Sequence, residues 1–392
     1  MTDVTDADIV AAEEQLPNLL DELKTWVNID SGTDNKAGVD ALSVLAAKRL
    51  EQSGFVVERI SMTQTGDHLI GSKRGNGLLR LLLIGHMDTV FPAGAAVERP
   101  FTIRDGKAYG PGIFDMKSGI LAVLTALDCI GPAAQNAYAS ITMMCNSDEE
   151  IGSPTSKPYI EQLARASDAV LVLEPTRSLN TVTVGRKGIA AYTLDVFGLA
   201  AHAGVMPDAG KNAILELSSL IIQLQALHKS IPTVSLNVGG VTGGGRRNVV
   251  PDRASAIFEM RAANLAAFLQ AKEAIRAVIN GERLVPGVTV ELTQEPAEHL
   301  PLEPMEASAA LIAEARAIMQ SMGLELEALS IGGASDGNTT GGLGVPTLDG
   351  LGLIGQNSHN PDEYIQVDLI PQRVAFLAKL LRNLPQSLQS AQ

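Results

Sequence analysis

Four apolar runs in this chain are followed by residues of the kinds that bind metals or move protons. His86 and Asp88 close "LLLIGHMD", Glu149 and Glu150 lie in "CNSDEEIGS", Glu174 in "LVLEP" and His359 in "GLGLIGQNSHNPDEY". Asp115 joins them from "YGPGIFDMKSG", whose glycines permit a tight loop before a helix beginning near Lys117. In open α/β sheets, ligands bind outside the carboxyl ends of the strands, so these side chains are placed to converge at one sheet edge. Singly, each signal is weak. A lone histidine after a strand is more often a hydrogen-bonded structural residue. Adjacent glutamates more often form a solvated turn, and Asp148 is expected to be a turn carboxylate of that kind. Together they differ, because five carboxylates at one edge repel strongly unless cations hold them. Histidines and carboxylates without cysteine suit a catalytic rather than a closed structural zinc site. One aspartate between two cations gives a paired-metal geometry, with metals about 3.5–4 Å apart, that activates water for attack on a carbonyl.

The elements that must position these groups follow from hydrophobic patterning. "LRLLLIG" (79–85), "ASITMMCN" (139–146) and "DAVLVLE" (168–174) are short continuous apolar runs separated by helical patterns such as Lys117 to Ile130. That alternation predicts an α/β domain, helices over a mostly parallel sheet. After about Thr183 the pattern changes: "AAYTLDVFG", "TVSLNVGG", "ASAIFEMR" and "VTVELTQ" alternate apolar with polar residues, as strands with one buried face do. With two helical stretches between them the order is β-α-β-β-α-β, a small sandwich inserted into the α/β domain. The expected parts are 1–184 and 298–392 for the α/β domain and 185–297 for the insert. The chain ends in a helical pattern from Pro371 to Leu384.

At 392 residues the length favours two or three domains with ample core. A formal charge of −14 argues against broad attraction to nucleic acid or anionic membrane. The acidic, helical start lacks the basic end and apolar run of a secretory signal, and no stretch is long and apolar enough to span a bilayer. The expected location is the cytoplasm. Cys129 and Cys145 are too few for a disulfide framework.

"GHMDTV", "YGPGIFDMKSG", "NSDEEIGS", "LEP", "AAHAG" and "SHNPDEY", in this order and spacing, resemble the di-zinc aminoacylase/carboxypeptidase metallopeptidases, most closely the bacterial glutamate carboxypeptidase branch. The resemblance covers nearly the whole chain. It implies a zinc-exopeptidase-like α/β domain and an inserted domain that dimerises. It implies that His86 and Glu174 bind one zinc, that Glu150 and His359 bind the other, and that Asp115 bridges both. Cobalt or manganese are the alternative ions. Asp88 is then expected to accept a hydrogen bond from His86 and fix its tautomer. Glu149 matches the general base that takes a proton from the metal-bridging water and passes it to the leaving nitrogen. In the insert, His202 matches a histidine that reaches the partner subunit's site to stabilise the oxyanion. Asn248 and Arg261 match residues that bind the substrate near its carboxylate, a task suited to the arginine fork. Ser118 stands where many members have glycine, and Asp336 in "GGASDGN" matches only in outline and is left unassigned.

The expected function is a di-zinc amidohydrolase releasing a C-terminal amino acid, glutamate among the candidates, from a peptide or N-acyl substrate, acting as a homodimer. An N-acyl-amino-acid deacylase or dipeptidase shares this chemistry. A non-catalytic, metal-binding dimer is the reading from another class, and Glu149 speaks against it because a binding protein needs no base. Nucleotide binding is disfavoured: no G-x-G-x-x-G follows the first strand, and no P-loop Lys-Ser/Thr follows Gly243 to Gly245.

Overall fold

The strand Leu79–His86 is apolar on both faces because both faces are covered. Leu81 and Leu83 pack into a large core with side chains of the helices Ser118–Gln135 and Ile370–Gln389. Leu82 and Ile84 pack with Ile160 and Ala164 of the helix Lys157–Arg165. A strand buried this way shows a continuous run rather than alternation, which is why "LRLLLIG" reads as it does. In the computed structural model, which describes residues 6–389, this strand lies inside a six-stranded sheet. The order is Val56–Ile60, His68–Arg74, Tyr138–Asn146, Leu79–His86, Ala169–Val172, Thr347–Leu348. The last four run parallel, and the first two add an antiparallel edge. This is the expected α/β architecture.

By Cα packing the chain forms two compact units, one made of the residues up to Val184, Pro304–Ile331 and those from Ser335 onward, the other of Gly185–Glu303 and Gly332–Ala334. The second unit carries an antiparallel sheet ordered Val234–Gly243, Arg253–Ala262, Gly188–Phe197, Thr289–Gln294. Its two helices, Ala213–Ser230 and Leu265–Asn280, cover one face, where Leu217, Leu220, Leu224, Phe268 and Ile275 meet Leu194, Phe258 and Met260. The other face is unshielded by helices of this unit, which explains the strict alternation of burial along Gly188–Phe197. The element order is β-α-β-β-α-β. The unit reaches Glu303 because His299 and Leu302 pair back with Ile189 and Arg186.

A second, small antiparallel sheet in the first unit orders Gly355–Gln356, Tyr364–Gln366, Lys107–Tyr109 and Thr102–Arg104. Tyr364 pairs with Tyr109, so the segment holding His359 runs beside the loop holding Asp115. Among the described residues, no helix is long and apolar enough to cross a membrane.

Candidate metal centre

The parallel register pairs His86 with Asn146, so two central strands stop level and the residues that follow emerge at one edge. Glu149 and Glu150 come from a short helical turn, Glu149–Ile151, after the second of these strands. Glu174 follows the strand Ala169–Val172 and is buried. Asp115 lies between the two histidines. Its Oδ1 is 3.1 Å from His86 Nε2 and its Oδ2 is 3.3 Å from His359 Nε2. His359 Nε2 is also 3.1 Å from Glu150 Oε2, and His86 Nε2 is 3.7 Å from Glu174 Oε1 and 3.9 Å from Glu149 Oε2. His359 holds a φ of +62°, a left-handed conformation uncommon outside glycine. Two ligand sets, His86–Glu149–Glu174 and His86–Asp115–Glu150, each have donor atoms within 4.8 Å of one another. All six residues, His359 included, belong to the first unit.

The electrostatics are those of a cation site whose carboxylates need positive charge. Burial and the neighbouring Glu174 raise the Glu149 carboxyl well above the usual range, and burial also raises Glu150. Burial alone would lower the His86 pKa, but hydrogen bonds to Asp115 and Asp88 outweigh it and raise it well above its ordinary value. Hydrogen bonds to Asp115 and Glu150 raise His359 to about 10. Asp115 goes the other way: burial would raise it, yet the two histidines hold it far below the carboxylate range. Glu150 Oε1 is buried without a hydrogen-bond partner, a costly state for a carboxylate oxygen that a cation would relieve. This oxygen, together with a donor set of imidazole and carboxylate alone, fits a catalytic divalent metal site.

Asp88 is buried at this edge, and its backbone carbonyl lies closer to His86 than its carboxylate does. His86 Nδ1 lies 3.0 Å from the Asp88 backbone carbonyl and 3.5 Å from its carboxylate. The carboxylate accepts from the backbone N–H of Glu149 and of Glu150, each at 3.2 Å, and from Thr33 Oγ1 at 2.7 Å. One residue thus orients a histidine with its carbonyl and seats the glutamate turn with its side chain. Asp148 is not the solvated turn carboxylate expected from its neighbourhood. It is fully buried and accepts bonds from the Thr155 and Ser156 amides and hydroxyls.

Asp336, unassigned from sequence, is also buried, and it accepts from Asn146 Nδ2 at 2.8 Å and from Ser153 Oγ, bracing the glutamate turn on both sides. Burial raises its carboxyl to about 6. The only sequence signal was an acid following a glycine-rich loop.

His202, Asn248 and Arg261 belong to the second unit. His202 is exposed and pairs with Val249, while the Ala203 N–H donates to the Asn248 carbonyl, so His202 and Asn248 share one local ladder. The Gly204 N–H donates to His202 Nδ1 at 3.2 Å, which leaves Nε2 as the protonated nitrogen of the neutral ring. Arg261 gives Nε and Nη2 to Glu259 and Nη1 to the Gly332 carbonyl.

A parallel-rich α/β sheet with imidazole and carboxylate donors at its carboxyl edge defines the class as a metal-dependent hydrolase. The chain belongs to peptidase family M20/M25/M40, whose model matches residues 82–383. It is 31% identical over 382 residues to carboxypeptidase G2 of Pseudomonas sp. (strain RS-16), an alignment covering 95% of this chain and 91% of that one. It is 29% identical over 360 residues to the succinyl-diaminopimelate desuccinylase of Azoarcus sp. (strain BH72), covering 87% and 91%. In fold it is similar to a tripeptidase from Staphylococcus aureus (TM-score 0.79, 21% identity, 95% of this chain and 99% of that one). It is also similar to an M20 family metallo-carboxypeptidase from Sulfolobus solfataricus (TM-score 0.72, 18% identity, 95% and 99%). The protein is therefore an enzyme, a metallopeptidase-type hydrolase of amide bonds.

Proposed function

We propose that the enzyme releases a C-terminal amino acid, glutamate first among the candidates, from a peptide or N-acyl amino acid, using two zinc ions. The observation that carries this reading is the position of Asp115, one carboxylate oxygen toward His86 and the other toward His359. His86 and Glu174 would hold one ion, Glu150 and His359 the other, with Asp115 shared. Bound ions of this kind polarise the scissile carbonyl and lower the pKa of water. Glu149 does the proton work: its carboxylate takes a proton from the attacking water and gives it to the leaving nitrogen, so that amide and water become acid and amine. Burial and Glu174 push its pKa upward, the direction a proton carrier needs near neutral pH. Arg261 and Asn248 bind the substrate's α-carboxylate, and His202 donates from Nε2 to the developing oxyanion.

The dimer reading draws support from the second unit. Ile214, Leu215 and Ile222 on the helix Ala213–Ser230, and Val241 on the edge strand Val234–Gly243, are exposed apolar side chains. Exposed patches and uncovered edges of this sort mark association surfaces. We place the enzyme in the cytoplasm, in keeping with its two free cysteines, Cys129 and Cys145. The likeness to a desuccinylase favours one second reading, N-acyl deacylation, and the same assay separates the two. Release of free amino acids from N-acyl-glutamates, N-acetylornithine and simple dipeptides is measured with zinc or cobalt added, beside elemental analysis. The expected result is C-terminal release by protein holding two metals per chain, abolished by chelation. Full activity with one metal or none rejects the bimetallic centre.

A further inference from the structure

Asp115 and His359 come from segments far apart in the chain, and the groups that hold those segments together lie outside the ligand set. Lys117 and Glu363 are both fully buried, an unusual state for charged side chains. Lys117 Nζ donates to the Pro111 carbonyl at 3.3 Å, and to the carbonyls of Trp26 and Ile29 at 3.2 and 3.0 Å. Glu363 Oε1 accepts from the Ile113 N–H at 3.0 Å. One side chain therefore holds a carbonyl of the Gly110–Asp115 loop and the other holds an amide of the same loop. The loop has no slack on that side. Gly112, at φ +72°, faces the lysine stem so closely that an added Cβ would meet Lys117 Cε at 3.1 Å and Thr89 Cγ2 at 2.4 Å.

Glu363 reaches the loop from the segment that carries His359. That segment turns through two left-handed residues, Asn357 (φ +67°) and His359 (φ +62°), and its backbone closes with Glu363 N–H donating to the Asn360 carbonyl at 3.0 Å. The next residue, Tyr364, enters the ladder opposite Tyr109, just before the Asp115 loop begins. Glu363 is thus the side-chain link between the two ligand-bearing segments at the point where the ladder ends.

We propose that Glu363 is a positioning residue of the metal centre: with Lys117 it clamps the Gly110–Asp115 loop so that Asp115 and His359 are presented together. It touches neither metal nor substrate. The inference rests on the metal-centre reading above, and the test keeps the two apart. Metal-stripped full-length protein is titrated with cobalt(II) by calorimetry, with circular dichroism verifying the fold, for the wild type and for Asp115→Ala, Glu363→Ala, Glu363→Gln and Asp362→Ala. Glu363→Ala should weaken cobalt binding about 10–100-fold, the usual effect of losing a partner that orients metal ligands. Glu363→Gln retains a carbonyl oxygen for the Ile113 amide but puts an NH2 group in place of the second carboxyl oxygen at a fully buried site, so it should recover part of the affinity and still fall about 3–10-fold short. Asp362→Ala, an exposed neighbour, should bind as the wild type does. A merely structural role would lower the thermal stability of the metal-free protein while leaving cobalt affinity intact. Folded Glu363→Ala binding cobalt within about twofold of the wild type overturns the proposal. If that variant does not fold, Glu363→Gln decides by the same criterion. Undiminished cobalt binding by Asp115→Ala would instead overturn the metal-centre reading itself.

Discussion

Glu149 and Glu150 are chain neighbours with the same functional group, yet their surroundings separate them. Glu150 reaches His359 Nε2 at 3.1 Å and has one buried oxygen without a hydrogen-bond partner, which suits the metal-ligand role proposed for it. Glu149 lies farther from imidazole, 3.9 Å from His86 Nε2, and its carboxyl is driven up by burial and by Glu174. Replacing each should therefore produce different defects. Glu149→Gln is expected to retain metal and bind substrate while kcat falls about 10²–10⁴-fold, the usual contribution of general acid–base transfer. Glu150→Ala is expected to lose metal first and activity as a consequence. Metal analysis alongside steady-state kinetics checks both, and an exchange of the two behaviours would reverse the assignment of the pair.

At the scale of elements, the strands that lead to the candidate ligands were legible because their burial on both faces leaves continuous apolar runs, and the strands of the second unit were legible because one-sided burial leaves alternation. The ligand types stood at the run ends for the same reason, since a strand that stops at a sheet edge hands its next residues to the site. What was illegible is tertiary. Asp148 reads as a solvated turn acid until Thr155 and Ser156 are seen folding over it, and nothing near Asp336 in sequence points to Asn146 and Ser153. Lys117 and Glu363 lie within two of the motifs, "YGPGIFDMKSG" and "SHNPDEY", but only the pairing of Tyr364 with Tyr109 shows why both are buried. Helix ends offer a prediction of their own. Asp8, in the first turn of the helix Ala7–Val27, accepts from Arg382 through both oxygens, at 2.6 and 2.9 Å, and from Lys379 at 3.0 Å, tying that helix to Ile370–Gln389. The Arg382 hydrogen bond, opposed by burial and aided by Lys379, lowers the Asp8 pKa. A carboxylate whose folded pKa is depressed contributes stability that is present above its unfolded value, about 3.9, and is lost as pH falls through the folded value. Asp8→Asn should thus destabilise at pH 7, by no more than about 1 kcal/mol because the pairs are near solvent. The gap between variant and wild type should narrow as pH falls below the unfolded value of about 3.9 and vanish once the folded carboxyl is protonated. Urea titrations at several pH values test this, and a gap that persisted undiminished in acid would remove the ion pair as its cause.

At the scale of the whole molecule, the candidate metal-binding groups found among the described residues lie in one unit and His202 in the other. The Gly204 amide donates to His202 Nδ1, so the proton of the neutral ring sits on Nε2 and makes that nitrogen a donor. In the proposed dimer that donor serves the oxyanion of the partner subunit. Loss of one such donor typically costs about 10²–10³ in kcat without changing metal content. Action across subunits has a consequence that local action lacks. A His202→Ala subunit paired with a Glu149→Ala subunit forms a heterodimer in which one site receives both defects and the other receives neither. Either mutant homodimer has no intact site. Mixing and refolding the two inactive variants should therefore restore about half of wild-type activity per heterodimer, since one of two symmetric sites is whole. The heterodimer fraction is counted by native mass spectrometry and compared with the recovered rate. Heterodimers that form without any recovered activity would confine His202 to its own subunit's site or remove it from catalysis.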